Sequence, residues 1–241
     1  MELRNLSWAE VQELDPDVAV LPVGSTEQHG PHNPVGMDSI VANAMAEEAT
    51  ERTDTLLLPS VEVGLAEHHR GFPGTLYVRP ETLKNYVYDL LASVAEQGIE
   101  KVIVVNGHGG NTGILQEVCG QLTREQTMHA VMWMWTDAYP EEEDHPGKNE
   151  TSFMLHLAPE LVGEPVEGDV QEWGEHVNGT MVAHYTHEFT QNGVAGDATE
   201  ASAEHGEEFF GECVDRLVDI IQWIETEERN WDDLENFTPD A

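Results

Sequence analysis

The chain has 241 residues, with ten Lys plus Arg against 47 Asp plus Glu and a formal net charge of −37. A surface of that sign repels nucleic-acid phosphate and anionic lipid, so neither is expected as a partner. Cys119 and Cys213 fall on separate predicted helices, which is no disulfide framework and no CxxC knuckle; a reducing interior follows.

The opening stretch, MELRNLSWAEVQEL, lacks a basic segment followed by an apolar run, so no signal peptide is expected and the cytoplasm is the predicted location. VAVLPVG (18–24) is a short apolar run ending in glycine, which reads as a buried strand. From Asp38 to Arg52 the apolar positions Ile40, Val41, Ala44, Met45 and Ala49 keep helical spacing. TLLLPSVEVG (55–64) reads as a second strand, and Pro80 to Gln97 as a helix with proline in its first turn and Gly98 past its end. KVIVVNG (101–107) is a third strand, Asn111 to Gln126 a helix, and HAVMWMW (129–135) a fourth strand. Strand alternating with helix predicts parallel pairing with crossover helices on both faces, an α/β three-layer sandwich around a mainly parallel sheet.

Beyond Trp135 the pattern loosens. Residues 136–149 read as a polar loop, Glu150 to Leu157 as a short helix, and 158–196 as a long irregular stretch of the kind that lies over a site. Ala198 to Glu227 is predicted as one closing helix. There is no repeat or linker, so one domain over 1–241 is expected. No apolar run approaches the length of a membrane span. Acidic residues sit between the apolar segments and on helix faces, as in AEEATERTD and EEFFGECVD, so the chain is folded rather than disordered. With only three lysines (Lys84, Lys101, Lys148), this carboxylate-rich surface points to the cytosol of a salt-accumulating halophile.

In open α/β sheets ligands bind beyond the carboxyl ends of the strands. Four polar clusters fall there: GSTEQHGPHNPVGMD (24–38), GLAEHHRGFPGTLYVRP (64–80), NGHGGN (106–111) and DHPGKNETS (144–152). They hold six of the twelve histidines: His29, His32, His68, His69, His108 and His145. Glu27 and His29, two apart in extended chain, leave the same face. Asp38 returns at the start of the next helix, where it could also serve as a cap. With His108 in its glycine-flanked turn, these residues form an N/O donor set suited to zinc, manganese or iron. His32 and His68 are expected to line the site rather than bind metal. NGHGGN also reads, more weakly, as a phosphate-cradling loop before a helix.

GSTEQHGPHNPVGMD, NGHGGN and HPGKNETS, in this order, together with GDATEASAEHGEE (196–208), resemble the creatininase family of amidohydrolases. The resemblance implies a layered α/β fold, two divalent metal ions (zinc, iron or manganese), assembly as homo-oligomers such as hexamers, and a small-molecule amide substrate. It implies Glu27 and His108 as ligands of one metal, His29 of the other, and Asp38 as the bridge. Creatininases carry a further glutamate ligand two residues after the NGH histidine. Here that position is Gly110, with Glu150 the nearest replacement. His145 matches a family histidine that moves protons, and Asp144 beside it could orient the ring.

The reaction implied is attack of a metal-activated water on an amide carbonyl, with His145 protonating the departing nitrogen. Among the family's branches, the halophilic signature favours an archaeal formamide hydrolase that deformylates a ribosylaminopyrimidine phosphate. Arg70, Arg79 and Lys148 are the cations near the site loops. Creatinine-like and peptide-processing amidohydrolases are alternatives, as is a metal-binding protein without catalysis.

Overall fold

A computed structural model describes residues 1–138, 145–171 and 173–228. Helix α1 (Trp8–Leu14) opens on a capping box, with Ser7 accepting from the Glu10 amide and the Glu10 carboxylate receiving the Ser7 amide. It was not expected, because its apolar positions are too few to mark a period. Strand β1 (Val18–Val23) leads to α2 (Met37–Thr53), then β2 (Leu56–Leu57), α3 (Pro80–Ala95), β3 (Lys101–Asn106), α4 (Thr112–Arg124) and β4 (His129–Met134). The four strands form one parallel sheet in the order β2-β1-β3-β4.

The strand expected over 55–64 shrinks to two laddered residues. Pro59 has no amide hydrogen to continue the ladder. Past it the chain still follows β1, with Val61 N donating to Pro22 O and Gly24 N to Val61 O. The turn Trp135–Ala138 is helical (α5), so β4 ends one residue earlier than expected. α6 (Lys148–Leu157) begins two residues before its predicted start. A two-residue hairpin, β5 (His176–Val177) with β6 (Thr180–Met181), lies in the stretch read as irregular. The closing helix is divided: a 3-10 turn at Ala198–Glu200 precedes α7 (Ala203–Thr226), which Ser202 caps through the His205 amide.

Alternation along the strands divides the core into two layers. Val18, Val20, Ile103 and Val105 face α2, α6 and α7, against Val41, Met45, Phe153, Phe210 and Leu217. Ala19, Leu21, Val102 and Val104 face α3 and α4, against Leu83, Val87, Leu115 and Leu122. Each fully buried side chain of this kind contributes about 1.5–3 kcal/mol. Among the described residues no helix is long and apolar enough to cross a membrane.

The strand order places the site. The chain leaves β1 toward β2 on one side and leaves β3 toward β4 on the other. Loops that part in opposite directions open a crevice at the carboxyl ends of β1 and β3. The EQHGPH segment follows β1 and NGHGGN follows β3.

Candidate metal centre

Backbone contacts hold the EQHGPH loop open at its tip: Glu27 N donates to Val35 O at 2.8 Å and Leu76 N to Thr26 O at 2.8 Å. The two asparagines of NGHGGN act as braces. Asn106 Oδ1 accepts from His108 N at 3.1 Å. Asn111 accepts from Leu65 N at 2.9 Å and donates to Gly24 O at 3.0 Å, which ties three loops together. A β-carbon on Gly107 would collide with Asp38 O, so the glycine lets the end of β3 press against the first turn of α2. That contact sets His108 beside Asp38. His108 faces two carboxylates here, an arrangement that repels phosphate and disfavours the phosphate-loop reading.

The predicted donors converge. His29 Nε2 lies 3.0 Å from Asp38 Oδ1, and His108 Nδ1 lies 3.4 Å from Asp38 Oδ2. Asp38 thus turns one oxygen toward each imidazole. His108 Nε2 is 3.2 Å from Glu27 Oε2. His29, Asp38 and Glu150 offer donor atoms within 4.8 Å of one another, as do Glu27, His68 and His108. Glu27 is 0% exposed, His29 1% and Asp38 2%. Buried charges of that kind need a partner. Yet Glu27 Oε1 and Oε2, His29 Nε2 and Asp38 Oδ2 have no hydrogen-bond partner. They lie 3.0–3.4 Å from oppositely charged atoms without hydrogen-bond geometry. That is the arrangement expected of ligands around a cation, and this donor set fits a divalent metal.

The electrostatics agree. Burial alone would lower the His29 proton affinity, but the Asp38 carboxylate, with Glu150 and Glu27, raises its pKa to about 10. Burial would raise Glu27, but His108, His29, His145 and His68 hold it below the ordinary carboxylate range. His29 Nδ1 faces Glu27 O at 3.2 Å, and a backbone acceptor there takes its hydrogen and leaves Nε2 as the metal-facing atom.

His145 stands beside this cluster, its Nδ1 3.6 Å from Glu150 Oε2 and its Nε2 3.1 Å from Gln28 Nε2. Burial, then His29 and His69, push its pKa well below the usual value for histidine. Asp144, expected to orient it, lies outside the described residues. His32 does not line the cavity, contrary to expectation; its Nε2 contacts Thr151 Oγ1 at 3.0 Å and steadies α6. His68 does line it. None of Arg70, Arg79 and Lys148 does. Arg70 instead pairs with Glu67 and lies over the Tyr185 ring.

Two polar residues escaped the sequence reading. His69 is buried, with Nε2 3.1 Å from Glu27 Oε1 and Nδ1 2.9 Å from Thr186 Oγ1. Gln28 reaches His69, His145 and Gly193 O at once. A cavity of about 670 Å³ opens over the cluster, walled by Met134, Trp135, Trp173 and Met181. The edge of Trp173 meets His145 with ring centroids 4.9 Å apart. Gly110 also borders it; a β-carbon there would collide with His108 Nε2 and sit 2.8 Å from Leu65 O. This backbone has no room for the glutamate of creatininases.

A parallel sheet that delivers buried carboxylates and imidazoles into one cavity has the build of a metal-dependent hydrolase. The creatininase family profile, described as creatinine amidohydrolase, matches residues 4–221, and the chain belongs to that family. The mycofactocin precursor peptide peptidase of Mycolicibacterium smegmatis is 32% identical over 217 residues, covering 85% of this chain and 84% of that protein. A creatininase structure labelled Mn superposes with a TM-score of 0.83 at 26% identity, over 94% of this chain and 99% of the other. The 2-amino-5-formylamino-6-ribosylaminopyrimidin-4(3H)-one 5'-monophosphate deformylase of Methanothermobacter marburgensis is 32% identical over 143 residues, 58% of this chain and 59% of that one. The chain is accordingly an amidohydrolase acting on C–N bonds, of a metal-dependent family.

Proposed function

We propose that Glu27, His29, Asp38, His108 and Glu150 would hold two divalent metal ions for hydrolysis of an amide flanked by apolar groups. The observation that carries this reading is the set of buried carboxylate and imidazole atoms that face one another without hydrogen bonds. Glu150 stands in for the glutamate absent at Gly110, since it shares donor distance with His29 and Asp38. Ions held there polarise a carbonyl and activate water near neutral pH.

The chain's own residues do the rest. His145 Nε2 lies 3.1 Å from Gln28 Nε2, and its Nδ1 lies 3.6 Å from Glu150 Oε2. With its pKa held well below the ordinary histidine value the ring rests neutral, so it first takes a proton from the attacking water and then passes that proton to the departing nitrogen. Trp135, Trp173, Met134 and Met181 exclude water and offer apolar surface to the groups beside the scissile bond.

The wall argues against an anionic substrate. No Lys or Arg is among the described lining residues, and residues 139–144 and 172, outside the described set, are Tyr, Pro, Glu and Asp. A 5'-monophosphate finds no Lys or Arg among the described lining residues, so the formylated pyrimidine phosphate favoured from composition fits less well than an uncharged amide. The peptide-processing branch, which includes the mycobacterial relative, fits better. The test is direct. Protein purified in high salt is analysed for metal, then assayed on formamides, creatinine and peptides with apolar carboxyl-terminal residues, with and without a chelator. Turnover of a peptide that stops with chelation supports the reading. Turnover confined to the phosphorylated formamide, or activity indifferent to chelation, overturns it.

A further inference from the structure

His68 and His69 share one 3-10 turn, Glu67–His69, yet they do different things. His69 turns inward to Glu27 and Thr186. His68 faces the cavity and stacks on His108, with ring centroids 5.8 Å apart and planes 10° from parallel. One nitrogen of His68, one of His108 and one oxygen of Glu27 all lie within 4.8 Å of one another. Glu27 is wholly buried, and neither of its oxygens has a hydrogen-bond partner. Among the described residues His68 makes no hydrogen bond; its ring is packed among His69, His108 and Trp173 and its nitrogens are available.

We propose that His68 is itself a metal ligand, the third donor of the Glu27–His108 position. This rests on the metal reading above. It makes the two positions chemically unequal. Beyond Asp38, which turns one oxygen to each of His29 and His108, the first position has two imidazoles and one carboxylate from Glu27, His68 and His108, whereas the second has one of each from His29 and Glu150. Imidazole-rich sets suit zinc or iron, and carboxylate-rich sets suit manganese or magnesium. The first position therefore selects zinc over manganese more strongly than the second.

The experiment uses the full chain, as parent, His68→Ala and His68→Asn, each loaded with zinc and dialysed against graded chelators. Metal per chain is counted by mass spectrometry, and imidazoles per zinc by X-ray absorption. The parent retains both ions with three imidazoles between them, from His29, His68 and His108. His68→Ala releases one ion at a chelator strength below the parent's by more than the ~10–100-fold that loss of an outer hydrogen-bond partner costs. Its imidazole count falls by one. Both ions retained at parental affinity with an unchanged count overturns the proposal while leaving the metal centre standing. A parent chain that binds no metal overturns the metal reading itself. If His68→Ala does not fold, His68→Asn and the parental count decide, since two imidazoles over two ions reject His68.

Discussion

Gln28 Nε2 lies 3.1 Å from His145 Nε2, a contact that ties the ring to the EQHGPH loop. The amide orientation of Gln28 is set elsewhere: its Oε1 accepts from Gly30 N at 3.0 Å and its Nε2 donates to Gly193 O at 3.0 Å. One hydrogen of Gln28 Nε2 is thereby committed to Gly193 O, and the other lies between His69 Nδ1 and His145 Nε2. His145 also shares donor distance with Glu27 and His29, so its role as proton carrier rather than ligand is read from metal content.

Two substitutions test this division. His145→Ala is expected to keep its metal and lose kcat by ~10²–10⁴-fold, the usual contribution of general acid–base catalysis. Gln28→Ala, which frees the ring without removing it, should lower kcat by less and leave metal content alone. Steady-state kinetics with metal analysis check both. Loss of metal in either variant would place His145 among the ligands.

Asp38→Ala and Glu150→Ala should differ in kind. Asp38 turns an oxygen to each imidazole, so its loss should remove both metals and activity together. Glu150 shares donor distance with His29 and Asp38 alone among the ligand groups, so Glu150→Ala should release one metal and retain the other. Metal analysis after dialysis reads the difference directly. Retention of both ions in Glu150→Ala would make it a hydrogen-bond partner of the ligands.

The surface charge predicts a dependence on salt. Lys101 pairs with Asp17, Arg52 with Asp215, and Lys84 with Glu117, but ten cations cannot neutralise 47 carboxylates. Raising salt from 0.1 M to 1 M shortens the screening length from about 10 Å to about 3 Å. For a chain of this size each ~1 kcal/mol of relieved repulsion raises Tm by ~2–4 °C. Thermal melts across that range should climb; a flat series would remove the case for a halophilic protein.

Asp169 predicts a local effect of acid. Burial would raise its pKa, but the Thr190 hydroxyl and the Gln191 amide hold it below the ordinary carboxylate value. A carboxylate depressed by folding stabilises above its unfolded pKa, about 3.9, and that contribution is lost as pH falls through the lower folded value. The 190–193 turn, whose Gly193 carbonyl anchors Gln28, should therefore loosen below about pH 4. Hydrogen exchange of those amides measures it. Asp169→Asn should show the loosened exchange at neutral pH as well, and equal protection in both proteins would remove Asp169 from the role.

Much of this was legible in the residues. β1, β3 and β4 read as short apolar runs because a parallel sheet between two helix layers is buried on both faces, and α3 and α4 carry clean helical periods because each buries one face. Glu27, His29, Asp38 and His108 were legible because all four follow strand ends. His69 was not, since period and spacing do not say which of two adjacent histidines in a 3-10 turn points inward. Gln28 was hidden for a related reason: its partners are Gly193, His69 and His145, the farthest 165 residues away. The hairpin at residues 176–181 has ladders too short to show alternation.

The helix that carries Glu150 is fastened at both ends of the chain's order. Thr151 Oγ1 meets His32 and accepts from Asn33 Nδ2 in the first loop, while Ser152 Oγ accepts from Ser202 N at the start of α7. α7 then closes the core over Phe153. A nascent chain that has emerged only as far as residue 200 lacks the helix that seats Glu150. The pocket should therefore stay unable to retain two ions until α7 has left the ribosome, and acquisition of metal should be among the last events of maturation.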